Sequence, residues 1–136
     1  MSQLLVWNEY YSVQNANMDV QHQRLFALVN RLYDALEQKR ERDQLDDILA
    51  ELVHYTQTHF RDEETLMAAH HFAGLEAHRA AHAALFAQLQ GLLHRRAEGE
   101  PVMGDEVIAF LYDWLTQHIL EMDKQYAELF SAPAGA

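Results

Sequence analysis

Residues 58–82 read THFRDEETLMAAHHFAGLEAHRAAH. This stretch places His59 and Glu63 four residues apart and His78 and His82 four apart, with a break at Phe72-Ala73-Gly74 between the pairs. On an α-helix, residues four apart lie on one face, one turn above the other. The stretch therefore predicts two helices, each carrying two potential metal ligands on a single stripe.

The flanking sequence predicts two more helices and completes the pattern. Asp19 is the expected N-cap of the first helix, its carboxylate accepting from the backbone N–H of Gln21 or His22. The inward stripe of that helix is His22, Leu25, Val29, Leu32 and Leu36, spaced alternately three and four. Lys39, Arg40 and Arg42 are expected in its last turn, where cations suit the helix dipole. Asp43 is the expected cap of the second helix. Its stripe is Ile48, Leu52, Tyr55, His59, Glu63 and Leu66, with Asp46, Glu51, Gln57 and Arg61 facing away, and it ends near Ala69-His70-His71. Gly74 precedes the third helix, whose stripe is Leu75, His78, His82, Leu85, Leu89 and Leu92. A loop over 95–104 leads to a fourth helix from about Asp105 to Phe130, with Val107, Phe110, Leu111, Trp114, His118 and Met122 inward and Asp123 beside them. Four amphipathic helices with short connections predict an all-α, up-down-up-down four-helix bundle. Residues 1–17, with Trp7, Tyr10, Tyr11 and Val13, read as an extended arm packed on the body; 18–130 form the bundle and 131–136 a frayed tail.

Composition narrows the function. The chain has 136 residues, 49% of them hydrophobic, which suits one domain with a real core. It has no cysteine, which excludes disulfides, thiolate zinc sites and iron–sulfur clusters. A net charge of -11 without a basic stripe argues against nucleic acid and anionic membrane surfaces. No apolar run approaches the roughly 20 residues of a membrane-spanning helix. The opening MSQLLVWNEYY lacks the features of a signal peptide, so the cytoplasm is the expected location.

The inward stripes should be apolar, yet they hold His22, His59, His78, His82 and His118 with the carboxylates Glu63 and Asp123. One such residue is usually a satisfied core polar group. Seven on four stripes need compensation, because unpaired buried charges are costly. In an up-down bundle, the starts of helices one and three share an end with the finishes of helices two and four. All seven residues therefore converge at similar depth. His118 and Asp123 are five apart, which on an α-helix leaves about 140° between them. That spacing is poor for chelating one ion and suggests that Asp123 bridges two, as Glu63 can from the facing helix. Imidazole with carboxylate suits iron, zinc, copper or nickel, and spacing alone does not choose among them. His54, His70, His71 and His94 lie off the stripes and read as surface or loop residues.

The order H…HxxxE…HxxxH…HxxxxD, in the segments MDVQHQRLF, HFRDEETLM, HRAAH and WLTQHILEMDKQY, resembles the hemerythrin family in its single-domain bacterial form. The arm with Trp7 is similar too, so the resemblance covers nearly the whole chain. It implies a non-haem di-iron centre with an oxo or hydroxo bridge. His78, His82 and His118 would bind one iron, His22 and His59 the other, and Glu63 and Asp123 would bridge. Dioxygen would bind reversibly at the open position of the His22/His59 iron, walled by Leu25, Phe60, Trp114, Leu115 and Ile119. The implied role is oxygen storage, delivery or sensing by a monomer, with no enzymatic turnover beyond weak peroxidase-like side reactions. An oxygen-accepting partner protein is compatible with this role, though the sequence names none. The alternatives are a di-iron enzyme handling peroxide or nitric oxide, and an iron storage or sensing protein.

Overall fold

The computed structural model describes residues 4–38, 42–99 and 104–130, with backbone alone at 42–44, 104 and 105. The long helices are α1 (Ala16–Glu37), α2 (Arg42–Ala69), α3 (Leu75–Ala97) and α4 (Gly104–His118). Beyond α4 the chain passes through a π-helical turn, Ile119–Asp123, into a short α5, Lys124–Ala127. α1 packs against α2 and α4, and α2 against α3, in the expected four-helix bundle.

The helix boundaries differ from expectation where local hydrogen bonding decides them. The N-cap of α1 is Asn15, whose side chain accepts from Met18 N at 3.0 Å. Asp19 lies inside the first turn and bonds back to the arm instead. It accepts from Ser12 Oγ at 2.6 Å and from Val13 N at 2.8 Å. Arg42 opens α2 rather than closing α1, so Asp43 lies within that helix and does not precede it. Lys39, Arg40 and the tail 131–136 are outside the described residues.

The reversal between α2 and α3 explains the break in the deciding stretch. His71 takes a left-handed φ of 55°. The His71 and Phe72 N–H groups reach back to Ala68 O and Met67 O at 3.1 and 3.0 Å, the double closure of a Schellman helix end. Gly74 then caps α3. A Cβ there would lie 2.7 Å from the Phe72 ring, so glycine leaves room for that ring to fold back.

Two apolar clusters bracket the interior. The larger runs from Leu25, Phe26, Val29 and Leu32 through Leu49, Leu52, Leu89 and Leu111 to Trp114, Leu115 and Ile119. The smaller holds Val13, Met18, Met67, Tyr126 and Ala127, with Phe72 and Phe130 against it. The seven polar stripe residues are buried in the same interior. Each fully buried aliphatic side chain stabilises the fold by roughly 1.5–3 kcal/mol. The arm adds to the larger cluster. Trp7 and Tyr11 pack edge-on against Phe26 at 5.6 and 5.0 Å, and the Leu5 backbone exchanges two 2.8 Å hydrogen bonds with the Asn30 side chain. Tyr10 instead points outward, 69% exposed. Among the described residues, no helix is long and apolar enough to cross a membrane.

Candidate metal centre

The four inward stripes bring His22, His59, Glu63, His78, His82, His118 and Asp123 together, all buried. Their ligand-type atoms form two overlapping groups, each with its atoms within 4.8 Å of one another. One group is His22, His59, Glu63 and Asp123; the other is Glu63, His78, His82, His118 and Asp123. Glu63 and Asp123 belong to both, which is the placement that two bridging carboxylates need.

All five imidazoles turn Nε2 toward the carboxylates. His22 Nε2 lies 3.2 Å from Glu63 Oε2 and 3.0 Å from Asp123 Oδ2. His59 Nε2 is 3.6 Å from Glu63 Oε2, and His82 Nε2 is 3.0 Å from Glu63 Oε1. His78 and His118 place Nε2 at 2.8 and 3.1 Å from Asp123 Oδ1. Despite these short distances, His78 Nε2, His118 Nε2 and both Asp123 oxygens make no aligned hydrogen bond. Buried polar atoms left in this way are costly unless something compensates them. Neutral imidazoles and carboxylates fit a divalent first-row cation.

The electrostatics show what the cluster does without an ion. Burial opposes charge on His22 and His78, but the close carboxylates of Asp123 and Glu63 outweigh it and raise the two imidazoles to about 10 and about 9. Burial dominates at His59 and lowers it to about 4. Glu63 and Asp123 are held well below the usual carboxylate range by the surrounding histidines, against their own burial. Binding a metal through these imidazoles requires their deprotonation, so it is coupled to pH.

One geometric expectation is corrected. The rotation of about 140° between His118 and Asp123 assumed an α-helix throughout. Residues Ile119–Asp123 instead form a π-helical turn, whose i→i+5 closure stacks residues five apart. His118 and Asp123 consequently share one face and sit 3.1 Å apart, so their spacing is no obstacle to binding one ion.

Sequence reasoning passed over three residues at the site. Tyr126 is fully buried and donates from its hydroxyl to Glu63 Oε2 at 2.6 Å. Burial and the Glu63 and Asp123 charges push its hydroxyl far up, so it stays protonated as a donor. Gln21 Oε1 lies 2.6 Å from His59 Nδ1, and Glu64 Oε2 lies 2.8 Å from His82 Nδ1. A polar side chain adjacent to a ligand in sequence was the available signal for Gln21 and Glu64. Tyr126 had a weaker one, an aromatic three residues beyond Asp123.

The expected pocket residues Leu25, Phe60, Trp114, Leu115 and Ile119 are all buried. Phe60 stacks on His82 at 3.8 Å with the rings 5° from parallel, and lies farther from His59, at 6.0 Å. It therefore packs mainly against the three-histidine group. Trp114 meets Phe60 edge-on at 5.7 Å. His54, His70, His71 and His94 are exposed and stand apart from the cluster.

A four-helix bundle with a buried, carboxylate-linked pair of ligand groups defines a class of metal-binding bundle protein. The family model described as the hemerythrin HHE cation binding domain matches residues 14–130. The chain belongs to the hemerythrin family. It is 34% identical over 124 residues to bacteriohemerythrin of Pseudomonas aeruginosa, covering 91% of this chain and 80% of that one. It is 31% identical over 121 residues to myohemerythrin of Riftia pachyptila, 89% of each chain. A solved wild-type hemerythrin superimposes with a TM-score of 0.88 at 31% identity, covering 95% of this chain and 99% of that one. Myohemerythrin is itself a standard example of the up-down-up-down bundle.

Proposed function

We propose that this single-domain chain binds dioxygen reversibly at a non-haem di-iron centre, for storage, delivery or sensing. The observation that carries the reading is the pair of buried ligand groups sharing Glu63 and Asp123. In it, His78, His82 and His118 would hold one iron, His22 and His59 would hold the other, and the two carboxylates would serve both. Two ferrous ions, when bound, supply the two electrons that dioxygen takes up and returns.

The chain's own residues set the conditions. Tyr126 fixes one oxygen of Glu63, and with it the bridging geometry. Leu25, Trp114, Leu115 and Ile119 exclude water and bulky reductants from the His22/His59 side. Five neutral imidazoles supply less negative charge than a carboxylate-rich shell, which disfavours oxidation beyond the di-ferric level. The centre therefore suits carriage rather than turnover, with only slow peroxide side chemistry. A monomeric state is compatible with this role. A cytoplasmic location, with delivery to an acceptor protein, is compatible with this role.

The test is optical. Protein loaded anaerobically with ferrous iron is exposed to oxygen and then purged. A visible charge-transfer band that appears and disappears with oxygen, and is absent from His59→Ala, is the expected result. A band that forms once and never reverses would contradict carriage. Trp114→Ala is expected to hasten autoxidation, and an unchanged decay rate of the oxygenated band would remove Trp114 from the gating role.

A further inference from the structure

With Nε2 of each histidine committed to the centre, the ring proton of a ligating imidazole sits on Nδ1 and calls for an outer acceptor. Two of these outer nitrogens have one, and the acceptors differ in charge. His59 Nδ1 faces Gln21 Oε1 at 2.6 Å. Gln21 Nε2 donates to Asp62 Oδ2 at 3.1 Å. A carboxylate only accepts, so this second bond fixes the amide with its oxygen toward His59. His82 Nδ1 faces Glu64 Oε2 at 2.8 Å, while Arg79 Nε holds Glu64 Oε1 from the other side at 3.5 Å. The buried Nδ1 atoms of His22 and His78 have no partner. Each ligand group thus contains one braced imidazole, backed by a neutral amide in the His22/His59 group and by a carboxylate in the three-histidine group.

We propose that Glu64 and Gln21 are positioning residues that make the two metal positions unequal, with Glu64 rendering the three-histidine position the stronger donor set and the first to fill. The inference rests on the two-metal reading above. A carboxylate accepting from Nδ1–H draws that proton outward and raises electron density at Nε2. An amide oxygen orients the ring as well but polarises it far less. If both contacts served orientation alone, exchanging carboxylate for amide at either place would change little.

The experiment uses zinc, which is redox-inert and diamagnetic, on the full chain. Stepwise zinc affinities come from chelator competition, and the histidine Nδ1 protons are followed by 1H–15N NMR. Glu64→Gln is expected to weaken the three-histidine position roughly 10–100-fold and to move the His82 Nδ1 proton upfield, leaving the His59 signal in place. Gln21→Glu is expected to move the His59 Nδ1 proton downfield and to narrow the gap between the two affinities. Thermal melts of both variants check that the bundle is intact. A Glu64→Gln protein that keeps wild-type affinities and an unmoved His82 signal would overturn the proposal while leaving the two-metal reading standing. A wild-type chain that takes up only one zinc ion would remove both.

Discussion

Leu52 and Glu63 lie on the same inward stripe of α2, and both are 0% exposed. Leu52 is surrounded by apolar side chains, and its burial stabilises the bundle in the ordinary way. Glu63 costs free energy on burial and is held by His22, His82 and Tyr126. One helix therefore carries a stretch that the fold needs and a stretch that the fold tolerates. What distinguishes them is their neighbours, because the polar stretch is compensated only when all four helices deliver their ligands to one layer. The same contrast separates stability from function, and it can be attacked from both sides.

Glu63→Leu should have the largest effect. It removes a carboxylate common to both ligand groups. Metal analysis of the purified protein is expected to show loss of two-ion uptake, and retention of two ions per chain would refute the bridging role. Leu52→Ala should do the converse. It is expected to cost about 2–5 kcal/mol in denaturant unfolding while two-ion uptake persists.

The pH dependence of the metal-free protein sharpens the comparison further. His22 and His78 are raised from 6.5 to about 10 and about 9. Their contribution to stability is therefore complete below pH 6.5 and lost as pH rises through 9–10. His59 is lowered to about 4, so the unfolded chain takes up its proton first and stability falls as pH drops from 6.5 toward 4. The lowered carboxylates Glu63 and Asp123 add to the acid side, losing their contribution as pH falls through their folded values. Unfolding midpoints of the metal-free protein should peak near pH 6.5, where both imidazole effects begin. The alkaline loss should shrink when metal is bound, since its imidazoles are then already deprotonated. A flat profile from pH 6.5 to 9 in the metal-free protein would contradict the assignment.

The smallest effect is expected from deleting Leu120, inside the π turn. The deletion leaves His118 and Asp123 four apart, and an ordinary α-helix then stacks them on one face. Two-ion uptake should survive. Its loss would show that the π turn does more than restore a shared face.

Residue spacing was enough to establish the helices, their inward stripes and the seven polar positions, because the period of 3.6 residues links spacing to a face. It also determined that the seven share a depth, because short connections force neighbouring helices to alternate in direction. The residues 58–82 showed this most plainly, with two pairs at i and i+4. Three features depended on the folded chain. Helix starts went to whichever side chain found the free N–H groups, so Asn15 caps α1 while Asp19 ties down the arm. The His118–Asp123 segment left α-helical geometry, because two residues five apart reach one shared centre only through a π turn. Gln21, Glu64 and Tyr126 became partners of the centre through contacts 18 to 63 residues apart in sequence, which no local period can encode.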